Sequence, residues 1–429
     1  MNSLLYKISP FIVGTAVLVF TNTVHAEAQI LTLEQAKTMV LASAQVSARS
    51  EYVKAKSFMP EQVGSLPDPI LSLGALSFPV DTFDRGQENM TQLQVGISQA
   101  LPFPGKLGQL EASASYMAQA AAYDLDELKL QLLSQVQVRW WNIFYADRAL
   151  EILEKNNGLL HQFIRIAETK YKTGKGLQQD VLLAQLELSK LLDNQIQWVS
   201  IRDQEQVQLN ALLNQSASQT LVLSRDVDES LPTLIAEDKL IKQAFNARPM
   251  LAQQAQYIRS AQAQVNVAEK DFYPDFKLGA SYGFRQANPV TGLDRTDLAS
   301  ITLSMSIPFG ESQDAKLGQR QAEAAQAEFN YQDVREKVSA EVAVEVANYA
   351  RAKQQVSLFK QGIIPQAQQT VASMLAAYQV NKVDFLNLVR TQMTLYNYET
   401  QYWKVLAQAK QSLARLDAVV GKTVEISHE

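Results

Sequence analysis

Along most of this chain apolar residues recur every three or four positions, but three short stretches switch to strict alternation. In the last of them Ala299, Ile301, Leu303, Met305 and Ile307 share one face, and Ser300, Thr302, Ser304 and Ser306 share the other. In the preceding one Phe276, Leu278, Ala280, Tyr282 and Phe284 oppose Lys277, Gly279, Ser281, Gly283 and Arg285. Far upstream, Leu93, Val95 and Ile97 oppose Gln92, Gln94, Gly96 and Ser98. Alternation over about ten residues predicts strands, over 91–101, 275–285 and 297–307, with a hairpin partner at 69–78. The polar loops "VDTFDRGQEN" and "QANPVTGLDRT" join them in pairs. One apolar face against one small polar face fits the wall of a water-filled membrane barrel. It fits hairpins packed on a soluble core equally well, and the strands alone leave both open.

The intervening sequence is helical in period and unusually long. From 105 to about 171, apolar positions Leu125, Leu128, Leu132, Val136, Trp140, Ile143, Leu150 and Leu153 step largely by three, four or seven. Such a run is about 100 Å long at 1.5 Å per residue, too long for a compact domain. Nearer the strands the composition turns to Ala, in "EASASYMAQAAAY" and "QAEAAQAEFNY", and small side chains allow backbones to approach closely on several sides. An ordinary long coiled coil accounts for the helices taken alone. Further helices are predicted over 33–58 and 236–272.

The order helix, two strands, long helix, tight turn, helix is written twice. Ile97-Ser98 falls on Leu303-Ser304, Pro102-Phe103 on Pro308-Phe309, and Tyr171 on Tyr378, at an offset of 206 to 207 residues. Lys175 matches Lys382, Gln185 matches Gln392 and Leu188 matches Leu395. A period this long argues for tandem duplication of a domain-sized unit. The first unit covers 27–213, with its helical hairpin over 105–213, and the second covers 236–420, with its hairpin over 311–419. A Ser- and Asp-rich linker at 214–235 separates them, and 421–429 forms a tail. Gly158 and Pro365 also match, and both weaken a long helix, predicting a bend in each. Four strands are too few to close a barrel, so a barrel reading needs several chains. Pro102-Phe103 and Pro308-Phe309 then mark where strand hands over to helix, since proline has no N–H for a strand ladder.

Charge and composition narrow the function classes. A net charge of −5 gives no general attraction to nucleic acid. Residues 1–26 read as a secretory signal: Lys7, the apolar "FIVGTAVLVF" and a small-residue site at Val24-His25-Ala26. With no cysteine there is no disulfide, no thiolate metal site and no lipid-bearing N-terminal Cys, so no lipid anchor is expected. Downstream of the signal only His161 and His428 remain, and no nucleophile–base pair or metal cluster emerges. The sequence predicts neither catalysis nor a cofactor.

The duplicated architecture, the joins "LPFPGK" and "IPFG", and the turn segments "YKTGKGLQQDVLLAQ" and "YQVNKVDFLNLVRTQMTLYN" resemble the TolC/CusC-type outer-membrane efflux family across the whole chain after the signal. The stretch from "PDPILSL" to "LPFPGK" is most similar to the branch serving heavy-metal exporters. The resemblance implies a mostly α fold with a membrane β-barrel portion. It would be a homotrimer whose 12-stranded barrel continues into a periplasmic α-helical barrel, a passive duct. Its implied partners are outer-membrane lipid, a periplasmic adaptor protein and an inner-membrane RND-type pump. A drug-efflux or type I secretion duct is the alternative cargo assignment, and a soluble periplasmic coiled-coil protein the alternative class. Leu93, Val95, Ile97, Leu278, Ile301 and Leu303 would face lipid, and Gly174, Lys175, Gly176, Asn381 and Lys382 would form the tips that dock the adaptor. Where the family narrows its periplasmic entrance with acids, this chain has Asn387 and Arg390, with Asp384 a turn earlier and Asp180 as the comparable acid of the first unit. Asp384, tripled and paired with Arg390 of a neighbour, is the expected substitute; a helix N-terminal Asp complementing the dipole is the other reading.

Overall fold

The computed structural model describes residues 30–423, so the expected signal, His428 and nearly all of the expected tail lie outside the described residues. The chain begins with β1 (Ile30–Leu31), α1 (Leu33–Leu41), α2 (Ala44–Ser57) and α3 (Met59–Gly64), followed by β2 (Ile70–Leu76) and β3 (Gln92–Leu101). The long hairpin is α4 (Lys106–Lys172) with α5 (Gln178–Leu212). After β4 (Val222–Leu223) the plan repeats as α6 (Glu237–Ala247), α7 (Pro249–Lys270), β5 (Phe276–Phe284) and β6 (Leu298–Met305). The second hairpin is α8 (Glu311–Leu358), a π-turn at Phe359–Ile363, α9 (Ile364–Gln379) and α10 (Phe385–Val420).

Both opening helices differ from the sequence expectation. The helix predicted over 33–58 breaks after Leu41, where Ser43 adopts an extended conformation and starts a new helix. The helix predicted over 236–272 breaks at Arg248, because the ring of Pro249 disfavours a helical conformation in the residue before it. Arg248 sits at φ −71°, ψ 121°, and its buried guanidinium bonds Glu127 at 3.2 Å and Glu341 at 2.6 Å. Burial works against this guanidinium's charge, but the two carboxylates outweigh it and leave its pKa raised.

The long helices carry the core. Leu132, Val136, Trp140 and Ile143 of the predicted seam are buried together with Trp141 and Phe144, and Leu153 anchors a second cluster nearer the tips. The segment between the units is not a free tether: β4 pairs in parallel with β1, which places Leu31, Leu221 and Leu223 on the tryptophan cluster of α4. The predicted bends are realised unequally. Pro365 lies in the first turn of α9 directly after the π-turn, which accommodates its missing N–H, whereas α4 runs through Gly158 as unbroken helix.

β2, β3, β5 and β6 form one antiparallel sheet in that order, so the two units meet at β3–β5 and leave β2 and β6 as free edges. Ile70 pairs with Ser98 and Lys277 with Ser304, so each hairpin has the same register at the same offset.

Candidate functional site

Three places stand out. The first is the sheet. Its register lines Leu73, Val95, Tyr282 and Ala299 across the four strands on one face, with Leu71, Ile97, Ala280 and Ile301 beside them. No helix among the described residues covers this face: Ile301 is 84% exposed, and Leu71, Leu73, Val95, Ile97, Leu278 and Leu303 are exposed with it, Leu93 marginally. The other face carries Ser72, Gln94, Ser281, Ser300, Thr302 and Ser304. A soluble sheet buries its apolar side; this one shows it to the surroundings, the arrangement that a lipid environment stabilises. No helix among the described residues is long and apolar enough to cross a membrane.

The second place is the strand-to-helix joins. After Pro102, the Phe103 N–H donates to Asp275 Oδ1 at 2.7 Å, and the Phe103 ring stacks on Tyr273 with centroids 4.5 Å apart. Lys106 Nζ lies 2.7 Å from Asp271 Oδ1 and 2.9 Å from Asp275 Oδ2, and Lys316 takes the other Asp271 oxygen. Burial alone would push the Asp271 carboxyl up, but the two ammonium groups hold it below the usual carboxylate range. Among the described residues Pro308 and Phe309 make no such contacts, and Phe309 stands 84% exposed. Asp271 and Asp275 are not evident from strand alternation. The repeated Pro-Asp before each first strand (Pro67-Asp68, Pro274-Asp275) and the repeated "KLGQ" at 106–109 and 316–319 are the signals that point to them.

The third place is the pair of helix turns. Both close by the same backbone bonds: Gly174 N–H to Tyr171 O and Lys175 N–H to Lys170 O, then Asn381 N–H to Tyr378 O and Lys382 N–H to Ala377 O. This pattern needs a left-handed residue after the helix, supplied by Gly174 at φ 68° and Asn381 at φ 59°. Gly176 is required for a different reason, since a Cβ there would lie 2.8 Å from Lys170 Cβ. The two turns are tied together by Lys170, whose ammonium bonds Tyr378 O and Asn381 Oδ1 and sits 4.1 Å from the centroid of the Tyr378 ring.

The gate candidates divide. Asp384 caps α10, its Oδ1 accepting from the Asn387 N–H at 2.8 Å, so the helix-capping reading is structurally satisfied. Asp180, in the first turn of α5, faces Asp384 and the Tyr378 hydroxyl, although the latter falls short of hydrogen-bond geometry. Burial, and after it the Asp384 charge, raise the Asp180 carboxyl above its ordinary value despite Lys170 nearby. Tyr378 is pushed up to about 12 by burial and by Asp180. Asn387 and Arg390 are exposed, and among the described residues Arg390 has no ion-pair partner. Lys170 and Tyr378, which connect the tips, were outside the expected site; the repetition of Tyr171 as Tyr378 was the available hint.

An uncovered two-faced sheet on a duplicated scaffold of very long helices is the mark of an outer-membrane duct. The chain belongs to the outer membrane efflux protein family, whose model matches residues 31–215 and 240–422. It is therefore a passive, non-catalytic exit channel of a tripartite efflux system, seated in the outer membrane and extending into the periplasm. It is 22% identical over 396 residues to the cobalt-zinc-cadmium resistance protein CzcC of Cupriavidus metallidurans, covering 91% of this chain and 90% of that one. Among solved structures it is similar to CusC (TM-score 0.76, 16% identity, 91% and 92% of the two chains covered). It is also similar to the outer membrane protein VceC of Vibrio cholerae (TM-score 0.75, 16% identity, 92% and 97% covered).

Proposed function

We propose that three copies of this chain pool their four-stranded sheets into one 12-stranded barrel through the outer membrane, with the helical hairpins forming a continuous periplasmic tube. The observation that carries this is the sheet itself: one exposed apolar face, one small polar face and two unpaired edges. Unpaired edges and an open sheet are not tolerated within lipid, and closure with other copies removes both. Leu93, Val95, Ile97, Leu278, Ile301 and Leu303 then face lipid, and Pro102, Phe103, Pro308 and Phe309 mark the periplasmic rim. The tips at Gly174, Lys175, Gly176, Asn381 and Lys382 dock a periplasmic adaptor, which links the tube to an RND-type pump of the inner membrane. Asp180 and Asp384, with Asn387 and Arg390, line the entrance that the tips close.

The cargo we assign is heavy-metal cations. CzcC, matched over 90% of its length, is named for cobalt, zinc and cadmium resistance, and acids at the entrance concentrate cations. No tight metal site is needed for a passive duct. Deleting the gene and scoring growth on cobalt, zinc, cadmium and copper salts beside a panel of drugs and dyes tests this. Sensitivity to metals alone supports the assignment; sensitivity to drugs alone contradicts it and leaves the duct itself intact.

A further inference from the structure

We infer that the seam between neighbouring copies has a fixed register and a specific clasp, in which Asp68 and Leu66 of one subunit receive Phe309 of the next. This deepens the shared-barrel reading and rests on it. The internal repeat supplies the geometry. Within one chain, β3 of the first unit pairs with β5 of the second from Leu101↔Phe276 to Leu93↔Phe284. The hairpins of the two units superpose in sequence at 207 residues for β2 and β5 and 206 for β3 and β6. Applying the same pairing between copies sets β6 against β2 of the partner, the remaining free edges of the sheet. Repeating one heterologous contact by rotation closes a ring.

The side chains fit this register without having been used to derive it. Ile301 falls opposite Ala75, Leu303 opposite Leu73 and Met305 opposite Leu71, all on the apolar face. Ser304 falls opposite Ser72, on the polar face. A slip of one residue would set every apolar residue against a polar one.

The join shows the same logic. Inside the chain Phe103 donates its N–H to Asp275 and lays its ring on Tyr273. The repeat turns Phe103 into Phe309, Asp275 into Asp68 and Tyr273 into Leu66. All three are unused in the single chain: Phe309 is 84% exposed, Leu66 54%, and neither the Phe309 N–H nor the Asp68 carboxylate has a partner among the described residues. At the 206-residue offset Ser312 replaces Lys106, and the lysine of the repeated "KLGQ", Lys316, is engaged with Asp271 within the chain, so the clasp rests on the backbone hydrogen bond and the ring contact. The far end of the molecule repeats the pattern. Tyr378 is 4% exposed against the first unit's tip, while its counterpart Tyr171 is 49% exposed.

Engineered cysteines in the full chain, which has none of its own, read the register directly. Directly opposed residues of antiparallel strands have Cα atoms about 4.5–5.5 Å apart, within disulfide range. S72C/S304C is expected to give covalent dimers and trimers on mild oxidation in outer membranes. S72C/S300C, displaced by roughly 13 Å along the strand, is expected to give none. Cross-linking of S72C/S300C instead, or of neither pair in a protein of three-chain mass, overturns the register and leaves the shared barrel standing. A single-chain mass overturns both. D68A is expected to lower the temperature at which trimers fall apart in detergent, D275A to lower it further, and unchanged D68A trimers overturn the clasp.

Discussion

At the scale of single residues, the tips are held by few groups, and one of them titrates. The Asp180 carboxyl is raised by burial and by Asp384, with Lys170 opposing and the Tyr378 hydroxyl beside it. If the tips close the entrance as proposed, a raised Asp180 pKa means that the closed tip binds the proton more tightly than an open, solvated one does. In the proposed gate, closure therefore gains stability as pH falls through the raised folded pKa of Asp180 and loses it as pH rises back through it. Single-channel recording across mildly acidic pH is expected to show conductance falling with acidification. Asp180→Asn, neutral at every pH, is expected to flatten that dependence. Legibility at this scale was partial. Glycines at the turn and Asp384 before a helix are local signals, read from neighbours in sequence. The Lys170–Tyr378 tie and the Asp271–Lys106–Lys316 group join residues far apart in the chain, which no local pattern encodes.

At the scale of elements, the strands were readable because a sheet with two unlike faces forces alternation on each of them, whichever solvent lies outside. The long helices were readable from their length and, in α4, from the regular seam. The breaks were not. A helix interrupted by Pro249 keeps its apolar period on both sides, and at the break Arg248 pairs with Glu127 and Glu341. Glu127→Ala leaves a buried guanidinium with one half-exposed partner. It is expected to cost about 3 kcal/mol, measured as a lower denaturation midpoint, with Glu127→Gln losing less. β1 and β4 were missed because two residues carry no period; tertiary burial of Leu31 and Leu223 decides them. The sheet faces give a sharper contrast. In the proposed barrel Leu303→Arg places a charge in lipid and is expected to cost about 2–4 kcal/mol. Thr302→Arg, one residue away on the polar face, is expected to fold normally and alter ion selectivity instead; equal behaviour of the two variants in heat-modifiability assays contradicts the facing.

At the scale of the whole molecule, one chain is an unfinished object. Its sheet has apolar residues without a core beneath them, its edges are unpaired, and an aromatic ring at one join stands in the open while its twin is stacked. In the proposed trimer each deficit is met by another copy, placed by the rotation that the internal repeat suggests. Duplication thus explains both what the sequence revealed and what it withheld: the unit is repeated in the chain, but the assembly lies in contacts that no single chain contains. The most direct test is an electron-microscopy reconstruction of the protein in lipid nanodiscs. A three-fold tube is expected, with twelve strands inside the lipid disc and the helical hairpins extending about 100 Å beyond it. A lone chain outside the disc, its sheet folded beneath its own helices, would contradict it.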